Sequence, residues 1–184
     1  MRKILLLALL ASSGGALAQN TADPSSTNPL DISKFKDIAA GSSLPTPKIV
    51  ADLQAKADGL ITANNCAAAL PVLEELAKQS NWLANLMVAG LEPFYGASAT
   101  NQRKISGDAL SALAPLEAQS NEYKRLRNRS TVQRAECLVK TKKPNEAAAA
   151  YARALDLIDI EDTTLWNRAM TGLYALIGLN APKF

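Results

Sequence analysis

The residues with the clearest capacity for chemistry are two cysteines, Cys66 and Cys137, and a basic run from Lys124 to Lys143. In an oxidising compartment a lone pair of cysteines within one domain is expected to close a disulfide. The other reading is two small residues packed separately in a helical core. A catalytic thiol is not expected, because there is no Cys-x-x-Cys and no histidine to activate one. The missing histidine excludes Ser-His-Asp and Cys-His catalysis and any histidine-ligated zinc or haem. Two thiols are too few for this chain alone to hold a four-cysteine zinc site or an iron–sulfur cluster.

The basic run is the most distinctive polar feature. Lys124, Arg125, Arg127, Arg129, Arg134, Lys140, Lys142 and Lys143 stand against a single acid, Glu136. At about 100° per residue, Val132, Ala135, Leu138 and Val139 share an apolar stripe, with Arg125, Arg129 and Lys140 pointing away from it. Arg127 and Arg134 flank the stripe on the other side. One reading is a solvated face, its final lysines placed favourably at a helix C-terminus. The other is a docking surface for an acidic segment or an anionic envelope polymer. Nucleic acid is not expected as a partner, since the run has Tyr123 but no interleaved aromatics to stack bases.

The carboxylates offer no matched pair. Glu74 and Glu75 diverge by about 100° on a helix, and Asp162 or Thr163 suits the cap of the last helix. The sequence contains no phosphate-binding glycine loop, nucleophile elbow or calcium loop. No enzymatic activity, cofactor or metal is therefore expected.

The elements that position these groups begin after an address. Arg2 and Lys3, the apolar Ile4–Ala11 and the small-x-small Ala16-Leu17-Ala18 read as a secretory signal peptide over residues 1–18. The apolar run is too short to span a bilayer, and no later stretch is apolar enough to do so. Export to the periplasm, or secretion, is expected. Losing Arg2 and Lys3 lowers the formal net charge from +3 to +1, so no global field draws the mature chain to polyanions. Residues 19–45, rich in Ser, Thr, Asn and Pro, read as a flexible leader.

From Thr46, with Thr46 as cap and Pro47 in the first turn, the periodicity predicts helices near 47–63, 66–79, 81–95, 101–118, 121–141, 144–158 and 163–179. No stretch alternates with period two for long enough to make a strand, so the expected class is all-α. Ala69-Leu70-x-x-Leu73-x-x-Leu76 recurs as Ala109-Leu110-x-x-Leu113-x-x-Leu116 and as Ala147-Ala148-x-x-Tyr151-x-x-Ala154-Leu155. Offsets near 40 residues suit a helical hairpin repeated about three times.

Lys140–Asp159, with Pro144 at the turn and Ala147, Tyr151 and Ala154-Leu155 after it, resembles the turn and second helix of a tetratricopeptide repeat. Leu53, Ala57 and Leu60, the Asn64-Asn65 turn, and Ala69, Leu73 and Leu76 are similar to the family's first hairpin. The first helix of the middle hairpin (Trp82 to Tyr95) departs from the pattern, and Thr131 and Arg134 stand where large apolar residues belong. The resemblance implies a right-handed stack of antiparallel hairpins over residues 46–184. It also implies that the first helices line a concave, partner-binding face.

On that reading Arg127 and Arg134, with Arg125 and Arg129, supply charge to a partner, and Trp82, Leu86 and Tyr123 supply apolar contact. The partner would be another envelope protein or an acidic peptide. The helix at 163–179, carrying Trp166, Met170 and Tyr174, is expected to cap the stack; the alternative is a homodimer surface. Two further readings stay open: a helical ligand-binding protein or enzyme with an internal pocket, and a self-associating structural subunit.

Overall fold

The computed structural model describes residues 35–41, 43–91, 94, 97–104, 107–159 and 161–182. The signal peptide at 1–18 and most of the leader at 19–45 lie outside them. Residues 1–40 and 41–184 form two units. Of the first, the described part is Phe35 and a single helical turn, α1 (Lys36–Ala39).

Every regular element among the described residues is a helix, as expected. In the second unit these are α2 (Pro47–Thr62), α3 (Cys66–Ala89), the one-turn α4 (Ala99–Gln102), α5 (Gly107–Lys140), α6 (Pro144–Leu157) and α7 (Thr163–Leu176). The starts follow the local chemistry. Thr46 Oγ1 accepts from the Ile49 amide at 3.2 Å, and Asn65 Oδ1 from that of Ala68 at 3.2 Å. Asp162 Oδ1 accepts from the Leu165 amide at 3.1 Å. Each of these bonds satisfies one amide that the first turn leaves without a partner.

Two expected boundaries are corrected. The breaks near residues 80 and 120 do not occur: α3 runs for 24 residues and α5 for 34. Neither Gln79-Ser80-Asn81 nor Gln119-Ser120-Asn121 carries a glycine or proline to stop a helix, and their serines are buried in the packing between the two helices. Ser120 Oγ donates to the Ala84 carbonyl at 3.2 Å. The expected middle hairpin is thus the far half of α3 and the near half of α5. Its Leu116 is 40 % exposed, whereas Leu73 and Leu76, at the matching positions of α3, are sealed in the core.

Packing follows chain order: α2 on α3, α3 on α5, α5 on α6 and α6 on α7, with α7 also touching α5. At 1.5 Å per residue α3 and α5 span about 36 and 51 Å, against about 21–24 Å for α2, α6 and α7. The long pair therefore overhangs the stack. Two core clusters result. One gathers Val50, Ala57, Ala69, Leu73 and Leu76 around the cysteines; the other gathers Val132, Ala135, Leu138, Ala147, Tyr151 and Ala154. Leu70 packs against both. Alanine at 69, 147 and 154, each 0 % exposed, lets neighbouring helices approach closely.

α2, α5 and α7 end alike. Asn64, Lys142 and Gly178 are left-handed, with φ of 53°, 61° and 75°. The following amides, of Asn65, Lys143 and Leu179, donate to the carbonyls of Leu60, Leu138 and Tyr174, each at 2.9 Å. These are Schellman ends, and they put the three helices in one register at spacings of 78 and 36 residues.

Cys66, the first residue of α3, is bonded to Cys137, near the end of α5, with Cα atoms 4.9 Å apart. Beside the bridge, Lys140 Nζ donates to Asn64 Oδ1 at 3.2 Å, joining the first two turns. No described helix is long and apolar enough to cross a membrane.

Candidate functional site

The shared register of α2, α5 and α7 predicts which of their residues lie side by side. Position 51 of α2 corresponds to 129 of α5 and 165 of α7; position 47 corresponds to 125, and position 54 to 168. These are among the residues that line an open groove of about 610 Å³: Ala51, Arg129 and Leu165 as a full set, Pro47 with Arg125, and Gln54 with Arg168, while Val132, the α5 member of the last set, is buried in the core. Val50, Leu126 and Leu165 give it apolar surface continuous with the core, and Tyr123 closes one side.

The charges in the groove have different fates. Arg168 grips Glu136 in a two-pronged pair, Nε to Oε1 and Nη2 to Oε2, both at 2.5 Å. Those hydrogen bonds raise the guanidinium's pKa against the opposing effect of burial. Asp162 is spent on the α7 cap. Arg125 and Arg129 have no hydrogen bond or ion pair to any described residue. Glu122, exposed at the rim, is the acid left over. Burial raises the Tyr123 phenol above its ordinary value, and the neighbouring Glu122 adds to the shift. The hydroxyl therefore stays protonated and can donate at neutral pH.

The structure divides the expected site residues. Tyr123, Arg125 and Arg129 share the groove. Arg127 and Arg134 do not line it. Residues 125 and 127 are about 200° apart on a helix and cannot face the same way. Arg127 instead turns into the α3–α5 seam, donating to Asn81 Oδ1 at 2.8 Å and Asn128 Oδ1 at 2.9 Å. Asn128 in turn donates to the Leu157 carbonyl at 2.9 Å. Burial first, and the nearby Arg153 second, push Arg127 below the ordinary arginine range. Arg134 reaches Glu74 of α3 at 3.4 Å.

Trp82 and Leu86 lie half-buried in the far half of α3, also outside the groove; the ammonium of Lys78 sits 5.1 Å from the Trp82 ring centre. Of the residues suggested for a dimer surface, Met170 is 4 % exposed, Trp166 packs on the second core cluster and Tyr174 is half-buried.

Sequence reasoning missed Arg168, Leu165 and the contribution of α2 to the groove. Aligning the chain on Asn64, Lys142 and Gly178, rather than on the alanines of the second helices, brings these positions together. Compared with known protein families, with curated proteins and with solved structures, the chain matches none.

Proposed function

We propose that this chain is an exported, tetratricopeptide-like adaptor of the bacterial cell envelope. It holds an acidic segment of another envelope protein in the groove between α2, α5 and α7. The reading treats α2–α3 and α5–α6 as two hairpins of a right-handed stack, α7 as the cap, and the far halves of α3 and α5 as an overhanging arm. Its principal support is the register: three helices with the same end motif contribute one full set of equivalent positions, 51, 129 and 165, to one groove, as first helices do on the inner face of a repeat stack.

The choice of an acidic partner rests on Arg125 and Arg129. Each carries a full positive charge beside apolar walls without an intramolecular counter-ion among the described residues. Such a place strengthens pairing with an incoming carboxylate relative to open water.

The test is capture of a partner from envelope extract by the mature chain, followed by affinity measurement across a salt series. The double reversal Arg125→Glu/Arg129→Glu is expected to abolish capture, and Lys142→Glu/Lys143→Glu, equal in charge but outside the groove, to leave it. Equal loss from both variants overturns the groove, because it makes overall charge the only determinant.

A further inference from the structure

We infer that the groove reads an internal acidic-x-acidic motif, two carboxylates separated by one residue, in a segment bound in extended form along α5. The inference rests on the groove being the binding site and adds the spacing of the charges it selects.

Arg125 and Arg129 are one turn apart on the same helix, about 6 Å along its axis. Both point into the groove and neither is engaged within the described chain. The groove's other arginine, Arg168, is already matched by Glu136, so the site offers two adjacent positive points and no third.

Extended chain rises about 3.3 Å per residue and sends successive side chains to opposite faces. Neighbouring acids therefore point apart. Acids two residues apart share a face about 6.6 Å from one another, which matches the arginine spacing. Acids four apart lie about 13 Å from one another and cannot engage both arginines. The intervening residue faces the other way, so its identity is left open.

A helical ligand with acids four residues apart would also match about 6 Å, so the spacing of four is the arm of the test that separates the two forms. Pro47, Val50 and Leu165 border the groove and set apolar surface beside the two arginines.

The experiment uses ten-residue fluorescent peptides, acetylated and amidated so that no terminal carboxylate contributes. Each carries two glutamates at a spacing of one, two, three or four on a neutral background. Binding to the mature chain is read by anisotropy at low salt. The spacing-of-two peptide is expected to bind about tenfold tighter than the others, and Arg125→Ser or Arg129→Ser to remove that advantage while leaving the melting temperature unchanged.

Equal affinity for all spacings, lost in both arginine variants, overturns the motif and leaves the groove standing. Tightest binding at a spacing of four overturns the extended form. Displacement by polyphosphate as effective as by unlabelled peptide, at equal charge, overturns a protein segment as occupant. Peptides that all fail to bind, while the natural partner is still captured through Arg125 and Arg129, also overturn the motif but not the groove.

Discussion

Removing the Cys66–Cys137 bridge should cost the fold about 4 kcal/mol. The bond closes 71 residues of chain, and the loop-entropy relation for that length gives about 4.4 kcal/mol at 25 °C. The magnitude is plausible for this topology because the bridge joins the start of α3 to the end of α5, two elements with α4 and the whole overhanging arm between them. Spread over about 144 residues, with an unfolding entropy near 2.1 cal/mol/K each, 4 kcal/mol lowers the melting temperature by about 13 °C.

Helical circular dichroism, followed through thermal and urea unfolding, compares the oxidised chain, the reduced chain and Cys66→Ala/Cys137→Ala. The cysteines are 7 % and 3 % exposed, so truncating them removes buried contacts as well as the constraint. The double variant should therefore fall below the reduced chain by up to about 2 kcal/mol. Both should show a steeper urea dependence, since the open chain exposes more surface on unfolding. A loss under about 1 kcal/mol with unchanged urea slope would refute the reasoning, for it would mean that α3 and α5 stay together in the unfolded ensemble without the bond.

Four further outcomes follow from particular contacts. In an open helix Gly172→Ala would stabilise by about 1 kcal/mol. Here the new Cβ would sit 2.6 Å from the Tyr151 hydroxyl oxygen, so a net loss of about 1–3 kcal/mol is expected, and a gain in chemical denaturation would contradict that close approach. Lys142 is left-handed with φ 61°, and Lys142→Gly should raise stability by about 1 kcal/mol, read the same way. Burial, and then the nearby Glu136, raise the Tyr151 pKa. The fold thus favours the neutral phenol, and its contribution is constant below about pH 10 and lost as pH rises beyond. Melting curves from about pH 9 to 11 should decline less steeply for Tyr151→Phe than for the parent. Arg127→Ala, which forfeits the bonds to Asn81 and Asn128, should cost about 1–3 kcal/mol in stability while leaving peptide affinity in the groove unchanged.

What the sequence disclosed depended on how local the cause was. The helical class, the Thr46 cap, the Asn64-Asn65 turn and the burial of Ala69, Leu73, Ala147 and Tyr151 rest on one or two turns of chain, and the structure agrees with each. The extra breaks at 80 and 120 were expected because polar triplets interrupt the apolar pattern there. Yet a buried serine interrupts a pattern without stopping a helix, and only the packing of α3 on α5 shows that Ser80 and Ser120 are interior. Arg127 could not be told from Arg125 by residue type, since both stand outside the apolar stripe. The helical angle already sets them about 200° apart; which of the two meets open space required knowing that α3 covers one flank of α5 while the groove opens on the other.

The same register that builds the groove also bounds it. Inward positions Leu53, Ala57 and Leu60 of α2 face α3; in α5 the matching places hold Thr131, half-buried, and Ala135 and Leu138, buried in the second core cluster. In α7 the corresponding residues are Asn167, Thr171 and Tyr174, of which Thr171 is exposed and the other two half-buried. A helix with polar groups on that face gains little by taking another hairpin against it, because each apolar contact the earlier helices make there is replaced by a desolvation cost. Residues of α2, α5 and α7 border the groove. Only the middle helix contributes arginines without a counter-ion among the described residues, at positions 125 and 129. On the function we propose, two arginines one turn apart on the central helix favour a short two-carboxylate segment over a long acidic tract.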